Sequence, residues 1–401
     1  MVPLPNDGIS YATVLETWSK GALARLNDRG LLRNEAVAEG PLEPSFSLDG
    51  RLVLSFSSNC YLGFASDPRL VATMQEALQR WGVGSSASRL VGGTHVAHRR
   101  CEEELASFSR AGAALLFSSG YAANLGVLSA LMNDGDIIYS DALNHASIID
   151  GCRLSRARTH VYRHRDIDHL RSLLTANARL PGRRLIVTDA LFSMDGHLAP
   201  LRELRELADE FEADLMVDEA HSIGVLGPQG RGACAAVGVR PEIQIGTLGK
   251  AFGVCGAYAA ASESIIHWLK NRARSYVFST APPPALAETI RVSLGLVMDA
   301  DDRRHKLLSN ARRLRDGMLE AGLAVPPIDA AIVPLMLGSA ERTMQASRAL
   351  LDRGIYARGI RPPTVPEGTA RLRLVPIATH TDVEVERALE AVISIVTTEP
   401  S

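Results

Sequence analysis

The amino-acid sequence predicts an α/β fold: a large domain on a central, mostly parallel sheet flanked by helices, a smaller α+β domain at the C-terminus, and an N-terminal arm. Three observations carry that expectation. With 401 residues the chain exceeds the size at which one hydrophobic core keeps growing, so two cores are expected. Short aliphatic or β-branched runs alternate with amphipathic helical stretches, the order that builds a sheet covered on both faces. Polar residues collect immediately after those runs, where sheets of this class bind ligands.

The arm is placed at 1–55, with a helix around Leu15–Leu32, a Pro/Gly-punctuated stretch and the strand-like Arg51–Phe56. The large domain, 56–290, opens with Leu70, Met74, Leu78 and Trp81, whose steps of four, four and three put them on one helix face. Leu185–Thr188, Leu215–Val217 and Glu242–Gly246 read as strands buried on both faces, and Leu201, Leu204 and Phe211 mark a helix between the first two. Ala281-Pro-Pro-Pro284 breaks the chain ahead of a helix from about Ala285 to Val297, a passage between domains. In the C-terminal α+β domain, 291–401, Leu307, Leu308, Ala311, Leu314 and Met318 keep helical spacing. Thr381-Asp-Val-Glu384 has the capping-box pattern that opens a last helix.

The 46% hydrophobic and 22% charged residues are ordinary proportions for a folded protein, and a formal charge of −2 creates no field for nucleic acid. No run approaches the roughly 20 apolar residues of a membrane span. The opening MVPLPNDGIS has neither a basic start followed by an apolar run nor an Arg/Ser-rich character, so a cytoplasmic protein is expected. Cys60, Cys101, Cys152, Cys234 and Cys255 are odd in number, widely spread and without CxxC spacing, which suits reduced thiols. His95/His98 and His160/His164 have metal-like spacings but no accompanying acid or thiol cluster, so no metal is expected.

Four segments carry chemistry. Gly82-Val-Gly-Ser-Ser-Ala-Ser-Arg89 has the glycines of a nucleotide loop but follows a helix, places Ala87 at the third glycine and lacks GK[ST]. It reads as an active-site loop or a structural turn. Phe117-Ser-Ser-Gly-Tyr-Ala-Ala-Asn124 ends an apolar run in a polar turn and begins a helix, whose free amides favour a phosphate; Ser119 as a plain cap is the alternative. In Asp218-Glu-Ala-His221 a strand-end carboxylate can pair with a cationic ring nitrogen while His221 bonds the same ligand, or the two can form a structural pair. In Thr247-Leu-Gly-Lys250-Ala-Phe-Gly, a residue type normally at the surface stands between Gly249 and Gly253, expected to clear space around its amine. Partial desolvation there favours the neutral, nucleophilic form. His145 adds a flat ring able to lie over another.

The order of these motifs resembles the fold-type-I pyridoxal phosphate (PLP) transferases. Ser57-Ser-Asn-Cys-Tyr-Leu-Gly63, the block from Asp218 to Gly232, and Arg361-Pro-Pro-Thr-Val-Pro-Glu-Gly-Thr-Ala-Arg-Leu-Arg373 resemble the α-oxoamine synthases, from about Leu23 nearly to the C-terminus. The resemblance implies a PLP cofactor, decarboxylative condensation of an amino acid with an acyl thioester, and a homodimer with active sites at its interface. It implies that Lys250 holds the cofactor covalently, Asp218 pairs with the ring nitrogen, His145 stacks on the ring and meets the substrate, and His221 bonds the phenolic oxygen. Gly120, Tyr121, Ser193 and Thr247 then fix the ring or phosphate, and Ser279 and Thr280 reach the phosphate of the second subunit. Arg373, with Arg361 as a second candidate, receives the amino-acid carboxylate beside Asn59; Arg33 and Thr364 contact the acyl substrate. The Arg-Pro-Pro-Thr-Val-Pro form implies L-alanine with pimeloyl-CoA or pimeloyl-acyl carrier protein, in biotin biosynthesis. Glycine or serine with another acyl-CoA is the alternative, followed by lyase or aminotransferase chemistry and by a non-catalytic partner subunit. Cys60 stands where the family usually has Asp, and Asp189 where many relatives carry Glu.

Overall fold

The computed structural model describes residues 13–41, 43–328 and 330–398; the opening MVPLPNDGIS and residues 399–401 lie outside the described residues. Helix α1, Val14–Asp28, begins at the Thr13 cap and buries none of its residues. Strands at Ala38–Glu39, Ser45–Leu48 and Arg51–Ser55 follow, and the third pairs in parallel with Ile355–Tyr356. The N-terminal segment is thereby joined to the C-terminal part: Leu54 and Phe56 share a core with Leu335, Leu372, Leu374 and Val392.

Seven strands form the central sheet: β1 Ala113–Phe117, β2 Ile137–Asp141, β3 Arg158–Tyr162, β4 Arg184–Asp189, β5 Asp214–Asp218, β6 Ile243–Thr247 and β7 Ala257–Ala261, in the order β1-β7-β6-β5-β4-β2-β3. β2 to β6 pair in parallel, and β7 runs antiparallel between β6 and β1. The expected strands at 185–188, 215–217 and 242–246 are β4, β5 and β6. Their side chains alternate between two cores. Ala114, Leu116, Tyr258 and Ala260 face one, Leu115, Phe117, Ala257 and Ala259 the other, which is why these strands are apolar throughout rather than alternating with polar residues.

Helices cover both faces. α2 Pro68–Trp81, α3 Val96–Phe108 and α9 Pro284–Met298 pack together on the first; α4 Gly120–Leu131 and α8 Glu263–Arg272 cover the second. On α2 the expected stripe is realised with Leu70 buried and Met74, Leu78 and Trp81 half-buried. α5 Ala146–Ser155 lies along α4, while α6 Ile167–Ala176 and α7 Leu201–Glu210 enclose alternate residues of β2, β4 and β5. Proline at its first positions starts α9, as the Ala281–Pro284 run predicts.

The C-terminal part contains α10 Asp301–Glu320, β8 Val333–Gly338, α11 Ala340–Asp352, β9 Arg358–Ile360, β10 Ala370–Leu374 and α12 Asp382–Thr398, with an antiparallel sheet ordered β8-β10-β9. The capping box forms: the Glu384 N–H donates to Thr381 Oγ1 at 3.2 Å and the Thr381 N–H to Glu384 Oε2 at 2.8 Å. Ala331, Ile332 and Val375 pack into the same core as Leu294 and Val297 of α9, so the two parts meet through apolar contact.

Candidate active site

Beyond the C-terminal ends of β4, β5 and β6 lies a cavity of about 370 Å³, lined by nine of the sequence-predicted residues: Asn59, Gly120, Tyr121, His145, Ser193, Asp218, His221, Thr247 and Lys250. That size is typical of sites for small molecules. Parallel strands bring these residues together because each strand ends at the same edge of the sheet and its loop turns there.

Lys250 follows β6 by three residues, and its Nζ stands 2.9 Å from His221 Nε2. Burial pushes its ammonium down to about 8, against the opposing pull of the Asp218 and Asp189 charges. The lysine therefore becomes a neutral amine close to physiological pH. A Cβ on Gly249 would meet only Val254 O, at an ordinary 3.6 Å, but Gly253 does not clear the amine as expected: a Cβ there would come within 2.5 Å of Ala65 N and Phe64 C, so this glycine, at φ +67°, makes room for the backbone of 64–65.

Asp218, 4% exposed at the end of β5, accepts the Ala220 N–H on Oδ1 at 2.9 Å and Asn124 Nδ2 on Oδ2 at 2.7 Å. Asn124, one turn after Gly120 on α4, donates its other amide hydrogen to Ser147 Oγ at 2.9 Å. Ser147 Oγ meets His145 Nδ1 at 2.7 Å, and the Ser147 N–H donates to the same nitrogen at 3.2 Å. Nδ1 is therefore the acceptor and the His145 proton sits on Nε2. Burial holds His145 below the usual histidine range. Asn124 and Ser147 were missed from sequence; the signal was present in Asn124's place four residues after Gly120, on the same helix face.

Asp189 ends β4 and accepts the His145 N–H at 2.7 Å. Burial, then the nearby Asp218 charge, pushes its carboxyl well above the usual range. His221 is held well below the histidine range, first by burial and then by Lys250 and Arg373, so it is a neutral ring. Its Nδ1 lies 2.6 Å from the Tyr61 hydroxyl, a contact across the molecule that sequence reasoning also missed. Desolvation lifts the Tyr61 phenol to about 12.

At the opposite wall, Ser119 caps α4 by accepting the Ala122 N–H at 3.1 Å. The cap satisfies Ala122 and leaves the Gly120 and Tyr121 N–H groups without an intrahelical carbonyl, so it does not compete with the phosphate reading of this turn. A Cβ on residue 120 would come within 2.6 Å of Thr247 Cγ2, so the glycine lets the helix start sit against the end of β6. The Tyr121 hydroxyl donates to Asp150. PLP, with its cationic ring nitrogen, phosphate and aldehyde, fits this set: a buried carboxylate, free amides at a helix start, an amine whose proton burial has loosened and a flat neutral imidazole face one cavity.

Arg373, from β10, is 6% exposed and donates Nε to Ser193 O at 2.6 Å and Nη2 to Asn59 Oδ1 at 3.0 Å. The remaining predicted residues lie apart from this cavity. Arg33 Nη2 donates to Thr364 Oγ1 at 2.8 Å, and Arg361 Nη2 to Leu32 O at 2.9 Å, forming one cluster between the N-terminal segment and the loop before β10. Ser279 and Thr280 do not line the cavity of the single chain; Thr280 forms a bridge to Ser88. The glycine-rich loop packs there too, with Ser85 Oγ donating to Pro282 O at 2.6 Å and Arg89 ion-paired to Glu102 at 2.9 Å. Cys60 is buried, its Sγ accepting the Ala65 N–H at 3.3 Å, a bond that holds the turn. Cys255 is exposed and faces the cavity. Among the described residues no cluster able to hold a metal ion occurs, and no helix is long and apolar enough to cross a membrane. His95 and His98 instead form the N-terminal cap of α3.

The chain matches the model of the family described as aminotransferase class I and II over residues 51–392. The 8-amino-7-oxononanoate synthase of Geotalea daltonii is 50% identical over 374 residues, covering 92% of this chain and 95% of the relative. Among solved structures, a serine palmitoyltransferase variant from S. paucimobilis with a bound PLP–myriocin aldimine superposes with a TM-score of 0.90 at 32% identity, over 96% of this chain and 98% of that one. The 8-amino-7-oxononanoate synthase of Francisella tularensis gives 0.75 at 29% identity, over 86% and 98%.

Proposed function

The chain belongs to the aminotransferase class I and II family, and from that premise we propose that it is a PLP-dependent acyltransferase condensing L-alanine with a pimeloyl thioester. The products are 8-amino-7-oxononanoate, carbon dioxide and the free thiol, a step of biotin biosynthesis. The names of its relatives support this substrate pair. The geometric observation that carries the chemistry is Lys250, an amine poised to be neutral, sharing a cavity with a buried carboxylate and a helix start.

When bound, PLP supplies an electron sink for the bonds at the α-carbon of the amino acid. Asp218, with an N–H donor on each oxygen, would pair with the ring nitrogen and hold the proton there. The free amides of Gly120 and Tyr121 receive the phosphate, with Ser193 and Thr247 at the cavity wall. His145 would lie against the ring face, and neutral His221 would hydrogen-bond its phenolic oxygen. Lys250 Nζ would hold the cofactor through its aldehyde, and as a free amine it is the group placed to take the proton from the α-carbon. Ser193, Asn59 and the Tyr61 hydroxyl hold the Arg373 guanidinium plane; its remaining N–H groups are left for the alanine carboxylate, which orients the α-carbon bonds. Arg33, Arg361 and Thr364 form the cluster that receives the acyl substrate.

A homodimer completes the reading. Ser279 and Thr280 reach the phosphate of the partner's site. α1, which buries nothing in the single chain and exposes Leu15 and Trp18, supplies apolar surface suited to an interface.

Cofactor-loaded protein given pimeloyl-CoA or pimeloyl-acyl carrier protein with L-alanine, glycine or serine should release thiol fastest with alanine and yield 8-amino-7-oxononanoate by mass spectrometry. Preference for glycine with a short acyl group would overturn the substrate assignment. Cofactor still attached covalently to Lys250→Ala, seen by mass spectrometry after borohydride reduction, would overturn the role of the lysine.

A further inference from the structure

A second cavity, of about 450 Å³, lies at the opposite edge of the central sheet, between the turn after α3, the start of β6, the end of β7 and the N-terminus of α8. Nothing in the chemistry above uses it. Arg110, Arg231 and Arg240 line it, and among the described residues none of the three forms an ion pair with a carboxylate. Glu242 also faces it, but its oxygens already accept Arg205 Nη1 at 2.8 and 3.0 Å and the Leu215 N–H at 2.7 Å. Arg231 Nε donates to Phe108 O at 2.9 Å, closing the end of α3 and leaving its two terminal nitrogens free. Burial, then the Arg110 charge, pulls the Arg231 guanidinium below its ordinary range, as expected for like charges gathered without a counter-ion.

Two further features border the same space. Gln244, the second residue of β6, is 8% exposed and lines the cavity, yet its carboxamide has no hydrogen-bond partner among the described residues. The residue as a whole is buried, but its carboxamide opens on the cavity, where a ligand can reach it. Ser262 caps α8 by accepting the Ile265 N–H at 3.4 Å, which leaves the Glu263 and Ser264 N–H groups with no intrahelical acceptor. A Cβ on Gly112 would sit 3.0 Å from Glu263 N; the glycine keeps that N–H uncovered.

We propose that this cavity binds a small phosphate monoester. Three guanidiniums and a helix start match a dianion with three terminal oxygens better than a carboxylate, whose two oxygens one arginine already satisfies. Val239 and Ile265 give the wall an apolar stretch for the organic part of the ester, and Gln244 bonds a polar atom on it. The volume is that of a small-molecule site.

Calorimetric titration of the PLP-saturated protein, whose cofactor phosphate site is filled, tests this with phenyl phosphate, inorganic phosphate and benzoate. Phenyl phosphate should bind saturably, more tightly than inorganic phosphate and about tenfold or more tightly than benzoate. Arg110 and Arg240 are exposed, so Arg110→Gln/Arg240→Gln should fold with an unchanged thermal midpoint and turnover while losing about tenfold or more in phenyl phosphate affinity. Gly112→Ala should weaken binding as well. No saturable binding, equal affinity for benzoate, or full affinity in the double variant would each overturn the proposal.

Discussion

Lys250 is the residue at which burial becomes chemistry. Only the neutral amine attacks a carbonyl, so below its pKa of about 8 the rate at which cofactor-free protein captures PLP should rise about tenfold per pH unit and then level off. Stopped-flow absorbance would show it; a rise continuing past pH 10 would mean an ordinary surface lysine. The same depression has a stability consequence of the opposite sense to a salt bridge. The unfolded chain binds the proton more tightly, so this lysine destabilises the cofactor-free fold fully below about pH 8, and the penalty fades as the pH rises toward 10.5. Asn124 acts one step further back. Asn124→Leu removes a hydrogen bond to a buried carboxylate, worth about 1.5–3 kcal/mol, and should weaken equilibrium PLP affinity roughly 10- to 100-fold. Unchanged affinity would show that Asp218 needs no help from α4. The residues that touch the cofactor site from within a motif, Lys250, Asp218 and His221, were legible because their spacing is local. Asn124 and Tyr61 were not, since their partners stand 94 and 160 residues away.

At the scale of an element, the loop after β5 shows how a motif can be right for an additional reason. Glu219, fully buried, accepts the Ala233 and Cys234 N–H groups, each at 2.8 Å, and the Ser222 hydroxyl. Gly232, at φ +100°, allows this, because a Cβ there would come within 2.6 Å of the Glu219 carboxyl. The glycines between Asp218 and Gly232 thus wrap the loop around one carboxylate and hold His221 in place. Glu219→Ala leaves two buried N–H groups without acceptors and should cost about 2–4 kcal/mol in chemical denaturation, with a lower kcat. Gly253→Ala combines a positive φ with a backbone clash and should cost about 2 kcal/mol or more. Retained stability in that variant would mean that residues 64–65 shift freely. Strand positions were readable to within about a residue from aliphatic runs, whereas the role of Gly253 was not, because the chain it accommodates is distant in sequence.

At the scale of the whole molecule, the predicted dimer has a consequence that a single-chain site does not. In a mixture of Lys250→Ala chains with Ser279→Asp/Thr280→Asp chains, a mixed dimer regains one intact site if Ser279 and Thr280 serve the partner, so activity should recover to about a quarter of the native level. If they serve their own chain, every site carries a defect and no recovery occurs. Read alone, the sequence determined the α/β class and three strands of the sheet, because aliphatic periodicity is a local property that each segment carries wherever it lies; the cofactor and the reaction came from the order of its motifs, through the family they resemble. Only the tertiary structure decided which residues share the cavity, that His145 protonates on Nε2, and that the guanidinium of Arg373 is held by Asn59 and Ser193. It also revealed the arginine-lined cavity at the far edge of the sheet. These follow from contacts between segments far apart in the chain, and such contacts exist only once the sheet has set the ends of its strands side by side.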